Sequence, residues 1–443
     1  MNLSITAPTP LTGTITLPGD KSLSHRAALF ASLAQGTSTV QRFLVSGVTD
    51  AMLRSLSALG IEWSLDNDTL TVTGKGLNGF RQPEVPLNCG NSATTIRMLA
   101  GALAAAGTPC ILDGSEGLRK RPMDRIIDPL SQMNVPTTSP NNCAPITMTA
   151  RDVSTKLSAI NYTLPVASAQ VKSCLILAAL DANGTTTLKE PGPSRDHTER
   201  MLSAMGASIT TEEPYIVKIE PLKKPLSPLE ITLPGDISSA AFMLVAAAIV
   251  PGSELTIKDV GINPTRTGII DVLREMGAVI SITNKRTSYG EPIGDITLKA
   301  AALKAISVSG DTVVRMIDEF PVFAIAAAFA EGTTIVREAE ELRHKESDRI
   351  TILCDELEKI GVELDEFQDG FAIKGGTIKG GVCKAHGDHR LAMSLAMAGL
   401  QSPAPVTVQN AEILNESFPE FTTNLIALGA TREPEISREF NKR

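Results

Sequence analysis

Residues 23–60 read LSHRAALFASLAQGTSTVQRFLVSGVTDAMLRSLSALG. Three elements are joined in that stretch. Leu23–Leu33 is apolar almost all round, the pattern of a helix buried on every side. Gly36-Thr37 and the residues after it predict a short strand. Asp50–Leu59 is amphipathic and stops at Gly60, a residue that adopts left-handed backbone at a helix end without a Cβ clash.

The same sequence of elements recurs six times. The apolar stretches are Leu23–Leu33, Thr94–Ala106, Val171–Leu180, Ser238–Val250, Pro321–Ala330 and Arg390–Leu400. The amphipathic ones are Asp50–Leu59, Asp124–Met133, Asp196–Met205, Thr267–Met276, Ser347–Ile360 and Glu420–Leu428. Gly60, Gly206, Gly277, Gly361 and Gly429 stop five of these, and Asn134 stops the other. The sixth copy is imperfect, with Ser402-Pro403 where the others carry Gly-Thr or Gly-Ser. The unit therefore reads strand–helix–strand–helix–strand–strand, an α/β class with right-handed crossovers where strands are parallel.

A unit with a wholly buried helix cannot stand alone, but three can share one core. A chain of 443 residues also exceeds what one core supports. Two lobes of three units are expected. Leu-Pro-Gly-Asp occurs at Leu17–Asp20 and again at Leu233–Asp236, where the first and fourth units begin. Read as crossings between lobes, these tetrapeptides divide the chain into residues 20–235 and residues 1–19 plus 236–443. Ordinary Pro-Gly turns are the alternative; their position at unit starts favours the crossing.

Aromatic residues are only 4% of the chain, which argues against stacking platforms for single-stranded nucleic acid. A net charge of −8 and a pI near 5.4 disfavour nucleic acid and anionic membranes as partners. A basic cluster inside so acidic a chain points instead to a pocket for a small anion. Cys89, Cys110, Cys143, Cys174, Cys354 and Cys383 form no CxxC pair and read as reduced thiols of a cytoplasmic protein. Met1-Asn2-Leu3-Ser4 shows no signal or transit pattern, and the longest apolar run, around Ala240–Val250, is too short to span a bilayer.

The polar residues gather just ahead of the buried helices. Lys21, Ser22 and Arg26 open the first, where free backbone N–H groups, a hydroxyl and two cations suit a phosphate or carboxylate. Ser22 could equally be a simple cap beside solvated cations. Asn91, Ser92, Ala93 and Thr94 open the second with small side chains that allow close backbone approach. Leu118-Arg119-Lys120-Arg121-Pro122 is a dense basic run, a solvated face in most proteins. Ser168, Ala169 and Gln170 open the third, with Arg195 ahead of its partner helix. Asp318-Glu319 precedes the fifth, and two carboxylates there need partners or exposure. Leu342–Arg349 is the densest ionisable segment. Entering a helix, it would set Lys345 and Arg349 on one face with Glu346 beside them, poised for proton transfer. A surface ion-pair ladder is the alternative. Gly387-Asp388-His389-Arg390 opens the sixth helix; His386 and His389 lack a third metal ligand at suitable spacing. Gly74-Lys75-Gly76 and Lys374-Gly375-Gly376 read as hairpin turns.

Residues 20–26, Lys120-Arg121-Pro122, Ser168-Ala169-Gln170, Asp318-Glu319, residues 345–349 and Asp388-His389-Arg390 together, in this order and spacing, resemble the 5-enolpyruvylshikimate-3-phosphate synthase family across essentially the whole chain. The resemblance implies a two-lobed inverted α/β barrel with six βαβαββ repeats, the enolpyruvyl transferase fold. It implies transfer of the enolpyruvyl group of phosphoenolpyruvate to the 5-hydroxyl of shikimate 3-phosphate, with release of phosphate and with neither metal nor organic cofactor. The partners are then two small molecules, and a monomer is expected. Carried over by motif, the shikimate 3-phosphate side comprises Lys21, Ser22, Arg26, Ser168, Ala169, Gln170, Arg195, Asp318 and Lys345. The phosphoenolpyruvate side comprises Lys21, Asn91, Ala93, Thr94, Arg121, Gln170, Lys345, Glu346, Arg349 and Arg390. Glu346 would protonate and later deprotonate the methylene carbon, while Asp318 and Lys21 handle the 5-hydroxyl proton.

Two departures stand out. Ala93 occupies a position that is commonly Gly in this family, and the wording of residues 168–172 and 318–321 resembles its glyphosate-tolerant branch. Glu416 stands where many relatives carry a lysine that reaches the phosphate. Two competing readings share the fold: the UDP-N-acetylglucosamine enolpyruvyl transferase, and a non-catalytic anion-binding protein. The first usually carries a Cys in the loop here occupied by Asp113–Gly117; the second does not explain an intact set of Lys21, Asp318, Lys345, Glu346 and Arg390.

Overall fold

A computed structural model describes residues 1–376 and 378–433. Its buried helices are α1 (Lys21–Leu33), α3 (Ala93–Ala106), α5 (Ala169–Ala179), α7 (Ile237–Ile249), α10 (Phe320–Ala328) and α12 (His389–Ala398). The outer helices are α2 (Gly47–Ala58), α4 (Asp124–Gln132), α6 (His197–Ala204), α8 (Gly268–Glu275), α11 (Arg349–Lys359) and α13 (Phe421–Ala427), with a short α9 (Asp311–Arg315) between. Burial follows the apolar pattern: every residue of α7 and of α10 is buried. Aspartate or serine caps start most of the buried helices. Asp20 accepts the N–H of Leu23 at 2.9 Å, Ser92 that of Thr95 at 3.1 Å, Asp236 that of Ser238 at 2.8 Å and Asp388 that of Arg390 at 2.9 Å.

Five of the units each carry one small four-stranded sheet: a parallel pair, then two antiparallel neighbours. In the second unit Leu87–Asn88 pairs parallel with Cys110–Asp113, then Ile146–Met148 and Thr137–Thr138 follow antiparallel. Two units exchange their first strand. Thr12–Thr16 runs into α1 yet pairs with Glu254–Gly261 of the fourth unit. Glu230–Thr232 runs into α7 yet pairs with Gln35–Gln41 of the first. Among the described residues the sixth unit has no last strand of its own. Gly381–Lys384 and Val406–Gln409 pair parallel, Leu3 bridges Val408 antiparallel, and Ile5–Thr6 pairs with Thr431–Arg432. The chain's first residues thus finish its last sheet.

Two hydrophobic cores result. One draws on residues from Leu23 to Leu233; the other on Leu3, Ile5, Leu11 and Leu17 together with residues from Ile237 to Ala430. The two Leu-Pro-Gly-Asp segments lie against each other between them. Gly19 and Gly235 form an antiparallel bridge, and Asp20 donates its N–H to Pro234 O at 2.8 Å. A Cβ on Gly19 would sit 1.8 Å from the Arg42 carbonyl oxygen, so only glycine fits. Both aspartates turn to one guanidinium: Arg266 Nη1 reaches Asp20 at 3.3 Å and Nη2 reaches Asp236 at 3.2 Å, all three buried. Arg266→Met is expected to lower the unfolding free energy by about 3–5 kcal/mol, because two buried carboxylates lose their cation. Urea denaturation measures this, and an unchanged midpoint would contradict it.

One expectation needs correction. Gly74 and Lys75 lie within the strand Thr69–Lys75, and Lys374 within Gly370–Lys374. A Cβ on Gly74 would meet Ala31 O at 2.2 Å, and one on Gly375 would meet Ala330 O at 1.6 Å. These glycines are not hairpin tips. They let a strand end press on the backbone at or just past the C-terminal end of a buried helix.

Candidate active site

The helix starts of both cores open on one cavity of about 310 Å³. From the first core come Lys21 and Ser22 of α1, Asn91, Ala93 and Thr94 at the start of α3, Arg121, Ser168, Ala169, Gln170 and Arg195. From the second come Asp318, Lys345, Glu346 and Arg390. The caps explain the convergence. Five of the six buried helices, all but α7, begin beside this cavity, so helix N-termini and nearby cations face the same space.

Two residues anticipated at the site stand behind its wall. Arg26 donates to Ser22 O at 3.0 Å, Thr198 Oγ1 at 2.8 Å and Ser173 Oγ at 2.9 Å. Arg349 is 1% exposed and bonds Asp388 at 2.8 Å and Glu346 at 2.6 Å. The segment carrying Lys345 and Glu346 also differs from expectation. It does not enter a helix: Glu340–His344 is a single 3₁₀ turn, Lys345 is extended, and α11 begins only after its cap, Asp348. Asp348 accepts the N–H groups of Ile350 and Thr351 and so stops the helix from extending backwards. Lys345 and Glu346 therefore project from a loop into the cavity rather than from a helix face.

Charges of the two halves meet across the cleft. Arg195 contacts Asp318 at 2.6 Å, Arg121 contacts Glu346 at 3.6 Å, and Arg125 contacts Glu341 at 3.2 Å. Burial pushes Asp318 towards its neutral form, but Arg195, Arg390, Lys345 and Arg349 outweigh it and hold the carboxyl well below the usual range. Burial likewise opposes ionisation of Glu346, and Arg349, Arg121, His389 and Lys21 overcome it. Lys21 and Lys345 are both lowered, chiefly by burial; Arg390 adds to the effect at Lys21. Such a site holds several cations, two ionised carboxylates and two amines eased towards losing a proton. That combination binds multiply anionic molecules and moves protons between them.

Reading the sequence gave no site role to Arg97, Arg125, Glu341 or His25, which line the cavity together with His389. Arg97 and Arg125 sit inside helices without a local motif. His389 was noted only as a possible metal ligand. It is buried, its Nε2 is unpartnered, and burial with Lys21 nearby lowers it to about 3. Among the described residues no cluster of three His, Cys, Asp or Glu side chains could hold a metal. Glu416 lines the cavity, and its carboxylate rests against the start of α2: a Cβ on Gly47 would lie 2.6 Å from Glu416 Oε2. Among the described residues no helix is long and apolar enough to cross a membrane.

A family model described as EPSP synthase (3-phosphoshikimate 1-carboxyvinyltransferase) matches residues 5–425. A 3-phosphoshikimate 1-carboxyvinyltransferase of Syntrophomonas wolfei is 47% identical over 416 residues, 93% of this chain and 96% of that one. The Geobacter sulfurreducens protein of the same name is 46% identical over 418 residues, 94% of this chain and 96% of that one. The solved EPSP synthase of Acinetobacter baumannii superposes with a TM-score of 0.87 at 40% identity, covering 98% of this chain and 99% of that one. The enolpyruvyl transferase NikO of Streptomyces tendae shares the fold, with a TM-score of 0.79 at 21% identity and 98% of each chain covered.

Proposed function

Because this chain belongs to the EPSP synthase family, we propose that the cavity between its two cores is where the family's reaction takes place. The chain transfers the enolpyruvyl group of phosphoenolpyruvate to the 5-hydroxyl of shikimate 3-phosphate and releases phosphate, a step of the shikimate pathway. The convergence of Lys21, Arg121, Gln170 and Arg195 with Asp318, Lys345, Glu346 and Arg390 on one cavity carries the assignment of roles.

In this reading Ser22, Ser168, Ala169, Gln170 and Arg195 hold shikimate 3-phosphate, and Arg26 supports Ser22 from behind. Arg121, Gln170, Lys345 and Arg390 hold phosphoenolpyruvate, with the N–H groups at Asn91–Thr94 nearby and Arg349 fixing Glu346. Asp318 accepts the 5-hydroxyl proton with help from Lys21 as the 5-oxygen attacks C2 of phosphoenolpyruvate. Glu346 gives a proton to C3 in the same step, forming a tetrahedral adduct. The adduct expels phosphate, which carries off the proton taken from the 5-hydroxyl, as Glu346 takes a proton back from C3, which restores the carboxyl and the double bond. Fixed cations stabilise the leaving phosphate in a cleft screened from water.

The crossings at residues 17–20 and 233–236 serve as the hinge, so residues 20–235 and residues 1–19 plus 236–443 move as two bodies, of which 377 and 434–443 lie outside the described residues. The chain acts as a single copy in the cytoplasm. Supporting this, its six cysteines are unpaired thiols, five of them buried, and its large exposed apolar side chains are spread along the chain.

Phosphate release from phosphoenolpyruvate, measured with and without shikimate 3-phosphate, tests the reading. Release that ignores the second substrate defeats it. Ala93 gives a narrower test. Its methyl stands at the first residue of α3 and lines the cavity, where it crowds a ligand longer than phosphoenolpyruvate. Ala93→Gly is expected to lower the half-inhibitory glyphosate concentration by about tenfold, equivalent to ~1.4 kcal/mol. A variant no more sensitive than its parent would remove Ala93 from that role.

A further inference from the structure

Arg97 is a buried guanidinium without a carboxylate. Among the described residues it has no ion pair, whereas its neighbours Arg121 and Arg125 face Glu346 and Glu341. Its bonds go to two neutral groups. Nη1 donates to Gln170 Oε1 at 2.5 Å, and Nη2 donates to Pro122 O at 2.9 Å. Its Nε has no partner and is shielded from solvent. Burial, with Arg121 and Arg125 close by, lowers it to about 10.

The placement follows from helix packing. Gly101 lies one turn beyond Arg97, and Cys174 one turn beyond Gln170. A Cβ on Gly101 would meet Cys174 O at 2.1 Å, so α3 and α5 touch backbone to backbone there. That approach brings the preceding turns, and hence Arg97 and Gln170, within hydrogen-bond reach.

The chemistry of the pair is one-sided. A guanidinium only donates, so the Gln170 atom facing it is the carbonyl oxygen. The amide cannot flip without aiming its NH₂ at a cation. Nε2 therefore points the other way, with one hydrogen on Thr94 Oγ1 at 3.0 Å. The donor end of Gln170 is set towards the cavity, where an anion needs a donor. The bond to Pro122 O fixes the backbone directly after Arg121.

We propose that Arg97 is a positioning residue for the enolpyruvyl donor: it locks the amide orientation of Gln170 and anchors the segment that presents Arg121. The proposal rests on the assignment of Gln170 and Arg121 to phosphoenolpyruvate given above. Lysine keeps the charge but cannot hold two divergent acceptors, so conservative replacement does not restore function.

Steady-state kinetics of Arg97→Met, Arg97→Lys, Gln170→Ala and the double variant Arg97→Met/Gln170→Ala test it. Both Arg97 variants are expected to raise KM for phosphoenolpyruvate at least tenfold, and KM for shikimate 3-phosphate, which Gln170 also holds, by no more than about threefold. In the Gln170→Ala background the effect of Arg97→Met should shrink to threefold or less. Additive effects, equal rises in both KM values, or an Arg97→Lys enzyme equal to the parent overturn the proposal. If Gln170→Ala alone leaves KM for phosphoenolpyruvate unchanged, the ligand assignment of Gln170 fails and the proposal falls with it. Should Arg97→Met not fold, Arg97→Lys carries the same cycle.

Discussion

Replacing Glu346 with glutamine is expected to lower turnover roughly 100- to 10,000-fold, the range that general acid–base catalysis supplies. The amide keeps the volume and can still accept from Arg349, but it carries no proton to the methylene carbon. The surroundings of Glu346 explain how one carboxyl serves as acid and then as base. Its two oxygens face Arg349 at 2.6 Å and Arg121 at 3.6 Å, which hold it ionised. Arg349 is also tied to Asp388 and stays in place. Arg121 is free to turn to an arriving phosphate or carboxylate. Losing that cation and gaining a neighbouring anion both favour the protonated form, in a site where burial already opposes charge. Departure of phosphate reverses the change. Binding of phosphoenolpyruvate should therefore draw protons from solution, and Glu346→Gln should abolish that uptake. Calorimetry in buffers of different ionisation enthalpy measures it. A glutamine variant with more than one-tenth of the parent turnover would end this role for Glu346.

Asp318→Asn should have an effect of similar size on turnover and a second effect on stability. The carboxyl contacts Arg195 at 2.6 Å, Arg349 at 3.4 Å and Arg390 at 3.8 Å, so its loss leaves three guanidiniums to repel one another. The Arg195 contact also spans the two cores. Asp318 is about one-fifth exposed, which moderates the cost to about 1.5–3 kcal/mol at neutral pH. The sign of the pH dependence follows from the lowered folded-state pKa. The contribution is fully present above the unfolded value near ~3.9 and is lost as pH falls through the folded value below it. Thermal midpoints of parent and variant should differ at pH 7 and begin to converge only as the pH falls below about 4. A gap that widens in acid would refute the assignment.

Much of the fold could be read from residue patterns. The six apolar helices and their glycine-stopped partners are local features, each set by a dozen neighbouring residues. The exchange of first strands between units one and four is marked only by two short tetrapeptides, because pairing of Thr12–Thr16 with Glu254–Gly261 spans more than half the chain. Closure of the sixth sheet by Leu3–Thr6 leaves no local trace beyond the missing Gly-Thr at Ser402-Pro403. At the site, motif reading found side chains that sit at helix starts. It could not place Lys345 and Glu346 correctly, because Asp348 takes the cap and leaves them in a loop. It passed over Arg97 and Glu341, whose significance lies in which distant groups they meet. Glu416 illustrates the same limit. Its charge looks wrong for a phosphate neighbour until its seat against Gly47 is known.

Leu3 and Ile5 point into the second core while Ser4 and Thr6 face outward and bond Thr407 and Glu433. During synthesis these residues leave the ribosome well before their partners at Val408 and Thr431, which follow on the order of tens of seconds later. Residues 20–235 can condense around α1, α3 and α5 in the meantime. The leading segment must wait, extended and uncommitted. Brevity and alternating hydroxyl side chains suit that wait, since a longer apolar strand would recruit stray edges from other nascent chains.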